Sequence, residues 1–122
     1  MNFINLSGVL IHYKYIPATP AADGSNTFVF INSLGTDFRI WDDVVAILKD
    51  EGNILLFDKR GHGLSGITAN PKGLENYAAD VLGLMTHLSI DKVIMVGLSV
   101  GGMIAQLLAY HHPDKIEKLG LC

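Results

Sequence analysis

The chain has 122 residues, with 9 Lys+Arg against 12 Asp+Glu for a formal net charge of −3, and 49% of its residues are hydrophobic. That length is one domain at most, able to bury about 65% of the surface of its unfolded chain, and the apolar fraction excludes disorder. A mildly acidic balance without Lys/Arg clusters argues against nucleic acid or an anionic membrane as the main partner.

From the start, Phe3-Ile4-Asn5-Leu6, then Ser7-Gly8, then residues 9–15 spell a β-hairpin with a tight turn. The opening Met1-Asn2-Phe3-Ile4-Asn5 has no basic n-region and no long apolar h-region. It is not a secretory signal, and a cytoplasmic setting is the default expectation. Residues 17–26, rich in Pro, Ala, Asp, Gly and Ser, form a loop too short to link domains. Thr27-Phe28-Val29-Phe30-Ile31 is a continuous apolar run, the pattern of a strand buried on both faces.

A helix is expected over 40–50, with Trp41, Val44, Val45 and Leu48 on one face. Asp42 and Asp43 in its first turn complement the positive end of the helix dipole. Ile54-Leu55-Leu56-Phe57 reads as a second buried strand, and 58–72 as a Gly-rich loop. Leu74, Tyr77, Ala78, Val81, Met85 and Leu88 recur at helical spacing. Residues 92–96 make a third buried strand, 103–111 a helix stopped by Pro113, and 116–122 a further strand. Buried strands separated by helices predict an α/β fold, a doubly wound and mostly parallel sheet.

The 18 residues from Val93 to Tyr110 carry no formal charge, enough to raise a spanning helix. Gly97, Gly101 and Gly102 interrupt them, each weakening a helix by roughly 1 kcal/mol. A strand, a tight turn and a helix explain them better, so no membrane span is expected. Cys122 is the lone cysteine and allows no internal disulfide. None of the five histidines has metal-ligand spacing with a second histidine or an acid, so no metal site is expected.

Chemistry concentrates in Gly97-Leu98-Ser99-Val100-Gly101, a G-x-S-x-G directly after a strand and directly before a helix. In a nucleophile elbow the serine sits on a strained turn, and the residues two before and two after it must be tiny. Gly97 and Gly101 meet that demand, while Gly102 and Ala105 extend the close packing along the helix. The helix N-terminus offers free N–H groups beside the serine oxygen. The plainer alternative is a glycine-rich turn in which Ser99 only caps a helix; the flanking strand and helix favour the elbow. One oxyanion donor is then the N–H after the nucleophile, Val100. A second belongs to a loop after an earlier strand; Asn32-Ser33-Leu34-Gly35 follows Ile31, and Leu34 is the expected donor. Taken alone that loop is an ordinary strand-to-helix turn.

In Phe57-Asp58-Lys59-Arg60-Gly61-His62-Gly63-Leu64-Ser65, the expected task of Asp58, Arg60 and His62 is to hold a turn by hydrogen bonds rather than to catalyse. His12 alternates with apolar residues and reads as an ordinary sheet residue. His87, His111 and His112 suit the negative ends of helices.

Together, Asn32-Ser33-Leu34-Gly35-Thr36-Asp37 with Trp41-Asp42, the run from Asp58 to Ser65, and Gly97-Leu98-Ser99-Val100-Gly101-Gly102-Met103-Ile104-Ala105-Gln106 resemble the α/β-hydrolase superfamily, most of all its 3-oxoadipate enol-lactonases. Most relatives have His-Gly where this chain has Asn32-Ser33, and Val100 stands where Met or Leu is usual. The resemblance covers essentially the whole chain, but only the N-terminal half of a family member. It implies a serine hydrolase of small-molecule esters or lactones in aromatic-compound catabolism, with Ser99 as nucleophile and the N–H groups of Leu34 and Val100 as oxyanion hole. It implies no cofactor. The family's triad is completed by an acid and a histidine later in the chain, with a helical cap between. Only 23 residues follow Ser99, so acid, histidine and cap are expected outside this sequence, and residues 1–122 are expected to be the N-terminal portion of one hydrolase domain, inactive alone. An esterase, a carbon–carbon bond hydrolase or a perhydrolase would share every residue named. So would a non-catalytic fragment or ligand-binding module that keeps the fold.

Overall fold

In the computed structural model, residues 2–18, 26–67 and 73–122 are described. Six strands and three helices follow one another as β1 (Asn2–Leu6), β2 (Val9–Ile16), β3 (Thr27–Ile31), α1 (Asp42–Leu48), β4 (Asn53–Phe57), α2 (Leu74–His87), β5 (Val93–Gly97), α3 (Val100–His111) and β6 (Ile116–Leu121). They make one sheet in the order β1-β2-β4-β3-β5-β6. The hairpin β1–β2 is antiparallel and joins β4 antiparallel, whereas β3 pairs in parallel with β4 and β5, and β5 with β6. The expected α/β architecture with a mostly parallel sheet is therefore present. The loops anticipated at 17–26 and 58–72 lie partly outside the described residues.

Successive side chains of a strand point to opposite faces, and here the two faces bury two separate clusters. Val29, Ile31, Leu55, Phe57, Val93 and Met95 pack with Val81, Leu84 and Met85 of α2 and Ile104 and Leu108 of α3. Phe30, Ile54 and Leu56 pack with Trp41 on the other side, where Val45 and Leu48 of α1 cover them in part. Apolar runs read as strands buried on both faces are such strands because each face has its own helical layer.

The segment expected to be a helix over 40–50 is divided. A 3-10 turn, Phe38–Trp41, precedes α1, and the Asp37 side chain caps it by accepting the Arg39 N–H at 2.9 Å. The Arg39 guanidinium closes back on the same carboxylate and holds Asp37 down to about 2. Only Trp41 of the anticipated apolar face is fully buried; within α1, Val45 and Leu48 face the sheet, and Val44, about 100° round the helix from Val45, is exposed. Helix α3 starts at Val100, three residues before the expected point, so Ser99 lies directly at its N-terminus. No helix among the described residues is long and apolar enough to cross a membrane.

Candidate active site

Strand β5 delivers the chain to Ser99, where the backbone reverses into α3 with φ 55° and ψ −115°. A left-handed φ on a non-glycine residue costs on the order of 1–3 kcal/mol and persists only where the surroundings enforce it. Here they do. A Cβ on Gly97 would collide with the Gly101 carbonyl, and one on Gly101 with the carbonyl of Ile31. The Leu98 N–H donates to the Ile31 carbonyl (3.0 Å), and the Ser99 N–H to the Cys122 carbonyl (3.1 Å). Strand β5, helix α3 and the end of β3 are thus pressed together at two glycines, leaving Ser99 at the crest. Gly102 differs: its Cβ would meet the Gly97 carbonyl at 3.4 Å, an ordinary contact, so the close packing expected to extend through it stops at Gly101.

Ser99 is exposed and its side chain makes no capping hydrogen bond to α3. Among the described residues its hydroxyl has no hydrogen-bond partner, so the helix-cap alternative is not realised. The loop 32–35 lies alongside, because Ile31 pairs with Gly97 and Gly101 packs on the Ile31 and Asn32 carbonyls. The structure thus places the loop bearing Leu34 beside the turn bearing Ser99 and Val100. Leu34 is 71% exposed. Among the described residues, the Leu34 and Val100 N–H groups have no partner in any turn, loop or cap.

That loop is fixed from behind. Asn32 is buried, with its Oδ1 accepting from Trp41 Nε1 (3.2 Å) and its Nδ2 donating to the Thr36 carbonyl (3.3 Å). The Lys59 ammonium, 1% exposed, donates to the carbonyls of Asn32 and Ser33, both at 2.9 Å. Burial pushes its pKa down to about 8, against the pull of neighbouring Asp58. Sequence reasoning assigned Lys59 no role. Its signal was its place two residues after the buried run 54–57, where a cation needs partners.

Asp58 accepts from the Phe38 N–H (2.9 Å), the Leu64 N–H (3.0 Å) and His12 Nδ1 (2.8 Å). His12 is therefore more than an ordinary sheet residue: it is 4% exposed, with Phe3 and Phe38 rings about 5 Å from its own, and its Nε2 has no partner among the described residues. It meets Asp58 because the Asp58 N–H bonds the His12 carbonyl where β4 runs out beside β2. A cavity of about 680 Å³, walled in part by His12, Phe38 and Leu64, opens at this cluster, and Ser99 does not line it. Arg60 does not hold the turn as expected. It reaches α2, where Nε and Nη2 form a bidentate pair with buried Asp80 at 2.8 and 2.7 Å, which raises the guanidinium pKa. His62 Nδ1 folds back on the Arg60 carbonyl at 3.1 Å.

No histidine among those described serves Ser99. His12 lies three strands from β5, about 14 Å at ordinary strand spacing. His111 lies at the far end of α3, about 18 Å along the axis. His87 sits against the Tyr13 hydroxyl at 3.4 Å. Among the described residues no group of three His, Cys, Asp or Glu side chains could hold a metal ion.

Comparison with known proteins agrees with this geometry. The family model described as the alpha/beta hydrolase fold matches residues 26–122. Two 3-oxoadipate enol-lactonases of Acinetobacter baylyi are 38% identical over 97 residues and 34% identical over 91. These matches cover 80% and 75% of this chain but 36% and 34% of the relatives, so the chain spans little more than a third of their length. The solved enol-lactonase of Burkholderia xenovorans superposes with a TM-score of 0.89 at 36% identity, over 97% of this chain and 45% of that one. With its sheet order, its glycine-packed turn and these matches, the chain belongs to the α/β-hydrolase fold family.

Proposed function

We propose that these 122 residues are the N-terminal portion of a serine hydrolase domain that opens an enol-lactone ring. In the complete enzyme Ser99 Oγ attacks the lactone carbonyl and passes its proton to a histidine supplied by the following segment. The Leu34 and Val100 N–H groups receive the oxyanion. Collapse of the tetrahedral intermediate breaks the ring C–O bond. The leaving oxygen departs as an enolate, which becomes a ketone by taking a proton at carbon, so departure needs little acid assistance. Water then cleaves the acyl-enzyme and restores the serine. Every step uses side chains, backbone donors and water, and a cytoplasmic setting fits a chain with a single cysteine.

The observation that carries this reading is Ser99 itself: an exposed, uncapped hydroxyl held at φ 55° on a turn that two glycines make possible, beside a loop with a free N–H. The lactone, rather than another acyl substrate, is supported by the similarity to enol-lactonases. The test is turnover by the complete protein of 3-oxoadipate enol-lactone against a simple aryl ester, a carbon–carbon substrate of the β-diketone type, and peroxide with acetate. A kcat/KM for the lactone at least 10²-fold above the others supports the proposal. Equal or greater activity on any of the others replaces the lactone while keeping the nucleophile. Ligand binding without any turnover removes the catalytic reading.

A further inference from the structure

Burying a lysine ammonium is costly, and an apolar side chain of similar length would fill the same space more cheaply. Lys59 is buried all the same, and the nearest carboxylate does not pair with it. Asp58 is taken up by His12, Phe38 and Leu64. The ammonium instead spends its donors on two consecutive carbonyls, those of Asn32 and Ser33. The Ser33 carbonyl is also held by the Thr36 hydroxyl at 2.8 Å.

The Ser33 carbonyl belongs to the same peptide unit as the Leu34 N–H. In a trans peptide the C=O and N–H point in opposite directions within one plane, and no peptide bond among the described residues is cis. Two donors on the oxygen, one of them cationic, therefore set the direction of the N–H on the other side. A charge-assisted bond to the oxygen also polarises the unit and strengthens the N–H as a donor.

We propose that Lys59 is a positioning residue: by gripping the Ser33 carbonyl it orients and polarises the Leu34 N–H for the oxygen that becomes negative beside Ser99. This rests on the assignment of Ser99 and Leu34 made above. It goes further in naming the group that fixes the oxyanion donor from behind.

The test compares wild type, Lys59→Met and Lys59→Arg in the complete enzyme between pH 6 and 10, with kcat, KM and Tm measured together. Lys59→Met lowers kcat by about 10–10²-fold at pH 7, less than the roughly 10²–10³-fold of losing an oxyanion donor outright because the N–H itself remains, and leaves KM within about threefold. Wild-type kcat declines as pH rises through about 8, where Lys59 gives up its proton. That limb is absent in Lys59→Met, and absent in Lys59→Arg because a guanidinium stays charged. Stability moves the other way. The pKa in the folded state lies below its ordinary 10.5, so between about 8 and 10.5 the folded protein binds fewer protons, and this group's contribution rises with pH. A scaffold lysine would not lower rate while its own contribution to stability grows.

A second readout needs no turnover: the Leu34 amide resonance follows the Lys59 titration in wild type and Ser99→Ala, and is flat in Lys59→Met. Should Lys59→Met fail to fold, Lys59→Arg carries both tests. A wild-type kcat with an unchanged alkaline limb in the folded variants, or a Leu34 amide indifferent to the titration, overturns the proposal. Persistent activity of Ser99→Ala instead condemns the nucleophile assignment, and the amide titration then judges Lys59 separately.

Discussion

Two loops at the same edge of the sheet handle their polar groups in opposite ways. At the β5–α3 turn, backbone packing does the building: two glycines bring a strand, a helix and a neighbouring loop together. The Ser99 hydroxyl and the Val100 and Leu34 N–H groups remain unpartnered among the described residues. At 58–66, side chains do the building. Asp58 accepts three hydrogen bonds, Ser65 Oγ donates to the Asp58 carbonyl (2.6 Å) and accepts from the His12 N–H (2.9 Å), and Arg60 is consumed by Asp80. Gly63 belongs to the same device, since a Cβ there would strike the Asp58 carboxylate. One loop keeps its donors free at the expense of strain, the other ties its side chains into cross-links. Lys59 joins them: it sits in the second loop and holds the first.

The comparison predicts that removing the unpartnered groups of the first loop changes rate, while disturbing what packs or cross-links either loop changes stability. Ser99→Ala gives the largest effect. It lowers kcat of the complete enzyme by on the order of 10⁴-fold or more with an unchanged melting curve, and substantial turnover by that variant would break the comparison at its centre. Asp80→Ala strands a buried guanidinium and costs about 3–5 kcal/mol in a denaturant titration. Replacing both members by Arg60→Leu with Asp80→Leu recovers most of that loss, whereas an equally unstable double variant would mean the pair itself is required.

Leu34→Pro removes one N–H and lowers kcat about 10²–10³-fold, while Leu34→Ala, which keeps it, has a mild effect. A folded, fully active proline variant would show that Leu34 is not a donor. The smallest effects separate two adjacent glycines. Gly101→Ala loses about 1–3 kcal/mol or more because the Ile31 carbonyl cannot recede. Gly102→Ala is neutral or gains up to about 1 kcal/mol, as helix propensity outweighs an ordinary contact. Thermal melts of the pair read the difference directly.

The features legible in the sequence were local ones. The elbow announces itself within five residues, since strand, glycines and helix each leave a contiguous pattern, and the central strands β3, β4 and β5 declare themselves by apolar runs of four or five residues. Pairings across long stretches of chain left no such trace. Lys59 meets the Asn32 carbonyl across 27 residues, His12 meets Asp58 across 46, and Arg60 meets Asp80 across 20. One clue was available for the last: Asp80 falls three residues after Tyr77 and four before Leu84, on the apolar stripe of α2, where a lone carboxylate must be paired. Val44 and Val45 are adjacent apolar residues, and the sequence does not say which of the two faces the sheet; Val45 does.

The central claim is that Ser99 is the acyl-accepting nucleophile of the complete enzyme. The most direct measurement is covalent labelling of that protein with a fluorophosphonate, located by peptide mass spectrometry, in wild type and Ser99→Ala. The account predicts a single adduct on the peptide containing Ser99, formed at a rate that rises as the histidine base loses its proton, and no adduct in the alanine variant. Labelling at another residue, or undiminished labelling of Ser99→Ala, would contradict it.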